Sequence, residues 1–78
     1  MYCVYRMTVT NERDEEGEEY VGYGIEAWMI SGTEQRMVQR VPDIFLERDR
    51  ARWFVDLCND ERVELVHLFD VIDNVLGE

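Results

Sequence analysis

Apolar and polar residues alternate along the first third of the chain. Cys3, Tyr5, Met7 and Val9 form one face of residues 2–11, and Arg6, Thr8 and Thr10 form the other. The segment is rich in β-branched and aromatic types, so it predicts a half-buried strand. Residues 20–30 repeat the pattern. Val21, Tyr23, Ile25, Ala27 and Met29 make an unbroken apolar face, opposite Tyr20, Gly22, Gly24, Glu26, Trp28 and Ile30. Glycine inside a strand weakens it and marks a bulge or the close approach of another backbone or ligand. Ser31-Gly32 is a hairpin turn signal. A third strand follows over 34–41, ending at Pro42, which cannot donate a ladder hydrogen bond. Two registers fit it. A two-residue turn pairs Ile25 with Val38. A three-residue loop pairs Ala27 with Met37 and Tyr23 with Val41, and we favour it because Met37 and Val41 then face the core.

The period changes after Pro42. Ala51, Phe54, Val55 and Cys58 recur at helical spacing and predict a helix over 47–58, with Asn59 as its C-terminal cap. Leu65, Leu68, Phe69, Ile72, Val75 and Leu76 predict a second helix over 65–76, ended by Gly77. The expected fold is α+β: a three-stranded antiparallel meander with two C-terminal helices packed on one face. It forms a single domain over 1–78, with 1–42 as sheet and 43–78 as the helical half.

With only 78 residues, such a domain buries about 60% of the surface its unfolded chain exposes, so it is marginal alone. Small domains add disulfides, a metal or a second subunit. The two cysteines, Cys3 and Cys58, lack C-x-x-C spacing, and each lies on a core face. A disulfide framework or zinc site is therefore not expected, and self-association is. The charge of −10 disfavours nucleic acid and anionic membranes as partners. No basic-then-apolar leader opens the chain and no apolar run approaches a membrane span, so the expected location is cytoplasmic. The charge is uneven: net −6 over 1–35, +2 over 36–53 and −6 over 54–78. All eight cations are arginine.

The helical half carries a resemblance. Asp43-Ile44, Val55-x-Leu57-Cys58-Asn59 and His67-Leu68-x-Asp70-Val71-Ile72 resemble a family of small bacterial proteins of unknown function associated with anaerobic Gram-positive bacteria. The resemblance implies a strand hairpin followed by two helices, and no chemistry. It also implies Ser or Thr just before the first helix. Phe45-Leu46 stand there instead, which removes a good N-cap.

Few residues could carry a reaction. His67 lies one helical turn from Asp70, and Cys58 ends the preceding helix; a Cys–His pair is the minimal nucleophile arrangement, and Cys, His and Asp are metal-ligand types. A catalytic thiol needs exposure and a lowered pKa, and Cys58 lies on a core stripe. Without lysine there is no Schiff base and no phosphate-loop lysine. The six acids of Glu12–Glu19 lack the ligand spacing of a calcium loop and read as a solvated turn. No catalytic residue, metal or cofactor is expected.

The remaining candidates are surfaces. Helices on one face of the sheet leave the other open, displaying Tyr2, Val4, Tyr20, Gly22, Gly24, Trp28 and Ile30. Exposed aromatics around glycines read as an interface. The primary expectation is a non-catalytic interaction module, homodimeric through this face or an edge strand. A second is a small-anion or ligand sensor using Arg36, Arg40, Arg48, Arg50 and Arg52. A third is an acidic decoy for a nucleic-acid-binding protein.

Overall fold

A computed structural model describes residues 1–77. Strands β1 (Tyr2–Arg13), β2 (Glu19–Ser31) and β3 (Glu34–Phe45) form one antiparallel sheet in that order. Helix α1 spans Arg48–Asp60, a single 3-10 turn covers Leu65–His67, and α2 spans Leu68–Leu76. Tyr5, Ile25, Ala27 and Phe45 on one sheet face share a core with Ala51, Phe54, Val55 and Cys58 of α1 and Leu68, Ile72 and Val75 of α2. Phe45 and Phe54 meet edge to face, 5.5 Å between centroids. The α+β meander with two C-terminal helices is as expected.

The path of β3 is not. The turn is Gly32-Thr33, with Ser31 opposite Glu34 and Gly32 at φ +59°, where a two-residue turn takes glycine. Trp28 then pairs with Met37 and Ala27 with Gln39, leaving Val38 as an unopposed bulge. The Gly32-Thr33 turn sets Met37 on the Trp28 side, and the bulge then brings Gln39 and Val41 to the helix side, where Val38 also packs, so neither expected register holds. A second break follows. Ile25 pairs with Val41 and Tyr23 with Phe45, so Pro42, Asp43 and Ile44 together oppose Gly24. The strand does not end at Pro42. It arches there, with Asp43 at φ +57°, and rejoins the ladder.

The helical half also departs from its pattern. Glu47 precedes α1 without a side-chain cap, as the missing Ser or Thr implies. Asn59 is not the cap of α1, whose C-cap is Glu61. The second helix starts three residues late, because Leu65–His67 make a 3-10 turn. Only Leu68, Ile72 and Val75 of α2 are buried. Phe69 and Leu76 are half exposed rather than in the core. The sheet outruns its helices: Val9 and Val21 sit on the helix-side face yet are exposed, because the hairpin projects beyond α1 and α2.

Candidate functional site: the uncovered sheet face

Strand pairing sorts the face opposite the helices into rows. Tyr2, Ile30 and Gln35 make the first row, and Val4, Trp28 and Met37 the second. Arg6, Glu26 and Arg40 make the third, with Thr8 beside Gly24, Thr10 beside Gly22 and Glu12 beside Tyr20 further on. One end is therefore apolar and aromatic, and the rest is polar.

The third row is a bonded network. The Trp28 indole Nε1 donates to Glu26 Oε1 at 3.0 Å. Arg40 Nε lies 3.7 Å from Glu26 Oε2, and Arg40 Nη2 donates to Thr8 Oγ1 at 3.2 Å. The Arg6 guanidinium sits 4.8 Å from the centre of the Trp28 ring, and its Nη2 donates to Gln35 Oε1 at 3.0 Å. Charge on both arginines is thus answered by one carboxylate, an amide and an aromatic face. Trp28 is half-buried and held at its edge and its ring face.

Gly22 and Gly24 play another part than the one expected. Both are buried under the arch of β3. A Cβ on Gly24 would overlap the Val41 carbonyl oxygen, and one on Gly22 would overlap the Asp43 carboxylate. The glycines admit a backbone, as strand glycines do, but it belongs to this chain. They offer no open surface. Tyr20 closes the arch by donating its hydroxyl to Asp43 Oδ2 at 2.6 Å. That bond to a carboxylate holds the phenol protonated, up to about 12. Ile30 is buried as well. Of the seven residues expected to form the interface, Tyr2, Val4 and Trp28 reach the surface at the apolar end. Met37, Arg6 and Gln35 join them. Met37 escapes the sequence pattern because the Gly32-Thr33 turn sets it opposite Trp28 and the bulge at Val38 then parts its side from that of Val41.

The five central arginines do not converge. Arg36 pairs with Met29 and belongs to the helix-side face, whereas Arg40 is engaged on the opposite face. Arg48, Arg50 and Arg52 lie on α1. Arg50 covers the Phe45 ring at 5.3 Å and donates to the Val75 carbonyl at 3.3 Å, tying α1 to α2. Nor do Cys58, His67 and Asp70 assemble: Cys58 is sealed in the core, while His67 and Asp70 are exposed. Burial pushes the Cys58 thiol up to about 11, the reverse of nucleophile activation. Among the described residues no three potential ligands form a metal-sized group.

A second construction pins the sheet edge. The Tyr5 backbone N–H donates to Asn59 Oδ1 at 2.8 Å, and Asn59 Nδ2 donates to the Tyr5 carbonyl at 2.9 Å. The Tyr5 hydroxyl donates to the Val63 carbonyl at 2.6 Å. The Asn59 amide therefore occupies the place of one residue of a neighbouring strand. A cleft of about 560 Å³ lies alongside, lined by Cys3, Val4, Asn59, Arg62 and Val63 among others.

Residues 1–78 match one known family along their whole length. The chain belongs to DUF6514, a family of unknown function. The DUF6514 match spans strands and helices alike, so the sheet face and the Asn59 clasp both lie within it. No curated protein and no solved structure matches the chain. No helix among the described residues of this DUF6514 chain is long and apolar enough to cross a membrane.

Proposed function

We propose that this chain is a non-catalytic, cytoplasmic protein-interaction module whose binding surface is the apolar end of the uncovered sheet face. The observation that carries the reading is the fixed pose of Trp28. Its indole is bonded to Glu26 and roofed by Arg6, beside Tyr2 at 60% exposure and Met37 at 42%. Aromatic and arginine side chains dominate binding energy at protein interfaces. A side chain already held in one rotamer loses less entropy when a partner covers it. The patch is apolar at its centre and rimmed by Arg6, Glu26, Gln35 and Arg40, the arrangement of a docking surface. A buried thiol pushed up by its surroundings, with His67 exposed elsewhere, supports the non-catalytic part of the reading.

The test uses Tyr2→Asp/Met37→Asp, which changes two exposed side chains and should leave the circular dichroism unchanged. Parent and variant serve as baits in extracts of the source cells. The expected result is a protein retained by the parent and lost by the variant. A Trp53→Phe background makes Trp28 the sole indole, and its emission should shift blue when that protein is added. An identical set of captured proteins for both baits would overturn the reading.

A further inference from the structure

We propose that two copies of this chain pair through the outer edge of β1, in antiparallel register centred on Val9, to make a continuous six-stranded sheet. A different surface carries this inference, so it stands apart from the patch reading above.

The two sheet edges are built differently. β3 is interrupted by the Val38 bulge and by the arch at Pro42, where one N–H is missing. Such breaks keep an edge from templating another strand. β1 runs without a register shift from Tyr2 to Arg13. Asn59 takes both outward peptide groups of Tyr5. In an antiparallel ladder the outward groups recur at every second residue. Those of Met7, Val9 and Asn11 therefore face outward too, and Met7–Asn11 holds no proline, glycine, lysine or bulge.

The limits of this free stretch select the register. On one side it stops at Tyr5, where Asn59 sits. On the other it stops at Arg13, the last residue of the strand. Both limits lie the same number of residues from Val9. A twofold axis through Val9 sets the blocked Tyr5 opposite the partner's last strand residue, so the block and the partner's turn coincide. Met7 then pairs with Asn11 of the second copy, and Val9 with Val9, each exchanging both peptide hydrogen bonds.

Side-chain chemistry agrees with that axis. On the uncovered face Arg6 comes opposite Glu12 of the second copy, a pair its guanidinium makes by turning from Trp28 and Gln35 toward the edge, and Thr8 comes opposite Thr10, both favourable cross-strand pairs. Among the described residues Glu12 has no ion pair within its own chain. On the helix side Val9, 56% exposed, meets its own copy next to Val21, and the projecting hairpin gains an apolar neighbour. Shifting the axis by one residue either way removes the Arg6–Glu12 pair. An axis perpendicular to the sheet also leaves both Trp28 patches on the same side of the assembly, at opposite ends.

The experiment compares Val9→Lys, Val9→Pro and Glu12→Arg with the parent by sedimentation equilibrium and light scattering. Val9→Lys sets like charges face to face on the axis. Val9→Pro deletes an N–H that the single chain does not use. The parent should show twice the mass of one chain, with Val9→Lys and Val9→Pro monomeric and at least tenfold weaker in association. Glu12→Arg should weaken association likewise, and Arg6→Glu/Glu12→Arg should restore it. Amide exchange at Met7, Val9 and Asn11 should slow as parent concentration rises. A parent that stays monomeric at millimolar concentration overturns the proposal, and so does a Val9→Lys chain that keeps the parent's mass. Concentration-dependent protection at Trp28 and Met37 instead of Val9 would move self-association to the open face and overturn it equally. Loss of dimer with capture by the Trp28 patch intact, or the reverse, separates the two readings.

Discussion

Single side chains join the two halves of this chain. Asn59 and Tyr5 are far apart in sequence, yet three hydrogen bonds link strand β1 to the end of α1 and the loop after it. Asn59→Ala leaves two Tyr5 peptide groups without their partners. Water can reach them at the sheet edge, so the expected loss is about 1–2 kcal/mol, at the lower end for unpaired polar groups. Urea titration checks it, and an unchanged midpoint would mean the clasp contributes nothing. Two neighbouring residues set an alkaline limit. Burial raises Cys58 from its ordinary 9.0 to about 11, and burial likewise raises Tyr5 above its usual value. An acid whose folded pKa lies above its unfolded one stabilises the fold while protonated. The Cys58 contribution is thus full below pH 9.0 and disappears as pH climbs toward 11. Melting temperature should be flat on this account below 9.0 and fall above it. In Cys58→Val the decline should begin later, leaving Tyr5 and the Asp43-bonded Tyr20 as its causes. An identical alkaline profile for both proteins would remove Cys58 from the account.

At the scale of elements, burial separates residues that spacing alone groups together. Leu68 is fully buried and Phe69, its neighbour, is 53% exposed. Leu68→Ala should cost about 2–5 kcal/mol, the range for emptied core sites. Phe69→Ala should cost about 1 kcal/mol or less, as for a surface site. Chemical denaturation of both variants is the check, and equal losses would place Phe69 in the core after all. The helical period identified this helix but could not limit its stripe, because Phe69 and Leu76 lie on the flank of the buried Leu68, Ile72 and Val75 line and only the packing decides how wide the buried face is. The same division runs through the sheet. Alternation in β1 and β2 was legible because those strands pair without a break, and the meander with two helices follows from it. β3 was not, because its bulge has no signal in the alternation and its arch depends on space that Gly22 and Gly24 open in another strand. The glycines did signal a close backbone approach. They could not say that the backbone was the chain's own. Tyr2, Val4 and Trp28 were therefore readable as one surface, while Met37 needed the true register. The Asn59 clasp joins a side chain to distant backbone and leaves no local pattern to read.

For the molecule as a whole, charge opposes the compact state. The chain carries 18 acids against eight arginines. Among its described residues only Arg13–Glu19, at 2.7 Å, and Arg40–Glu26, at 3.7 Å, come within ion-pair distance. The first is exposed on both sides, and exposed pairs stabilise little. Most of the negative charge is unanswered, at the hairpin tip and along the helical half, and folding brings these carboxylates closer together. Such self-repulsion destabilises a compact chain. Salt shortens its reach from about 30 Å at 0.01 M to about 3 Å at 1 M. Screening of the few attractive pairs acts in the opposite direction, but their small contribution sets a low ceiling on that loss. Added sodium chloride should therefore stabilise the protein. Recovery of about 1 kcal/mol would appear as a rise of about 4–8 °C in a domain of this size. Scanning calorimetry across that salt range, with the protein held at one concentration so that association does not vary, measures it. A melting temperature that falls with salt would show that the Glu26–Arg40–Arg6 network outweighs the net charge, and would make that row the main electrostatic support of the fold.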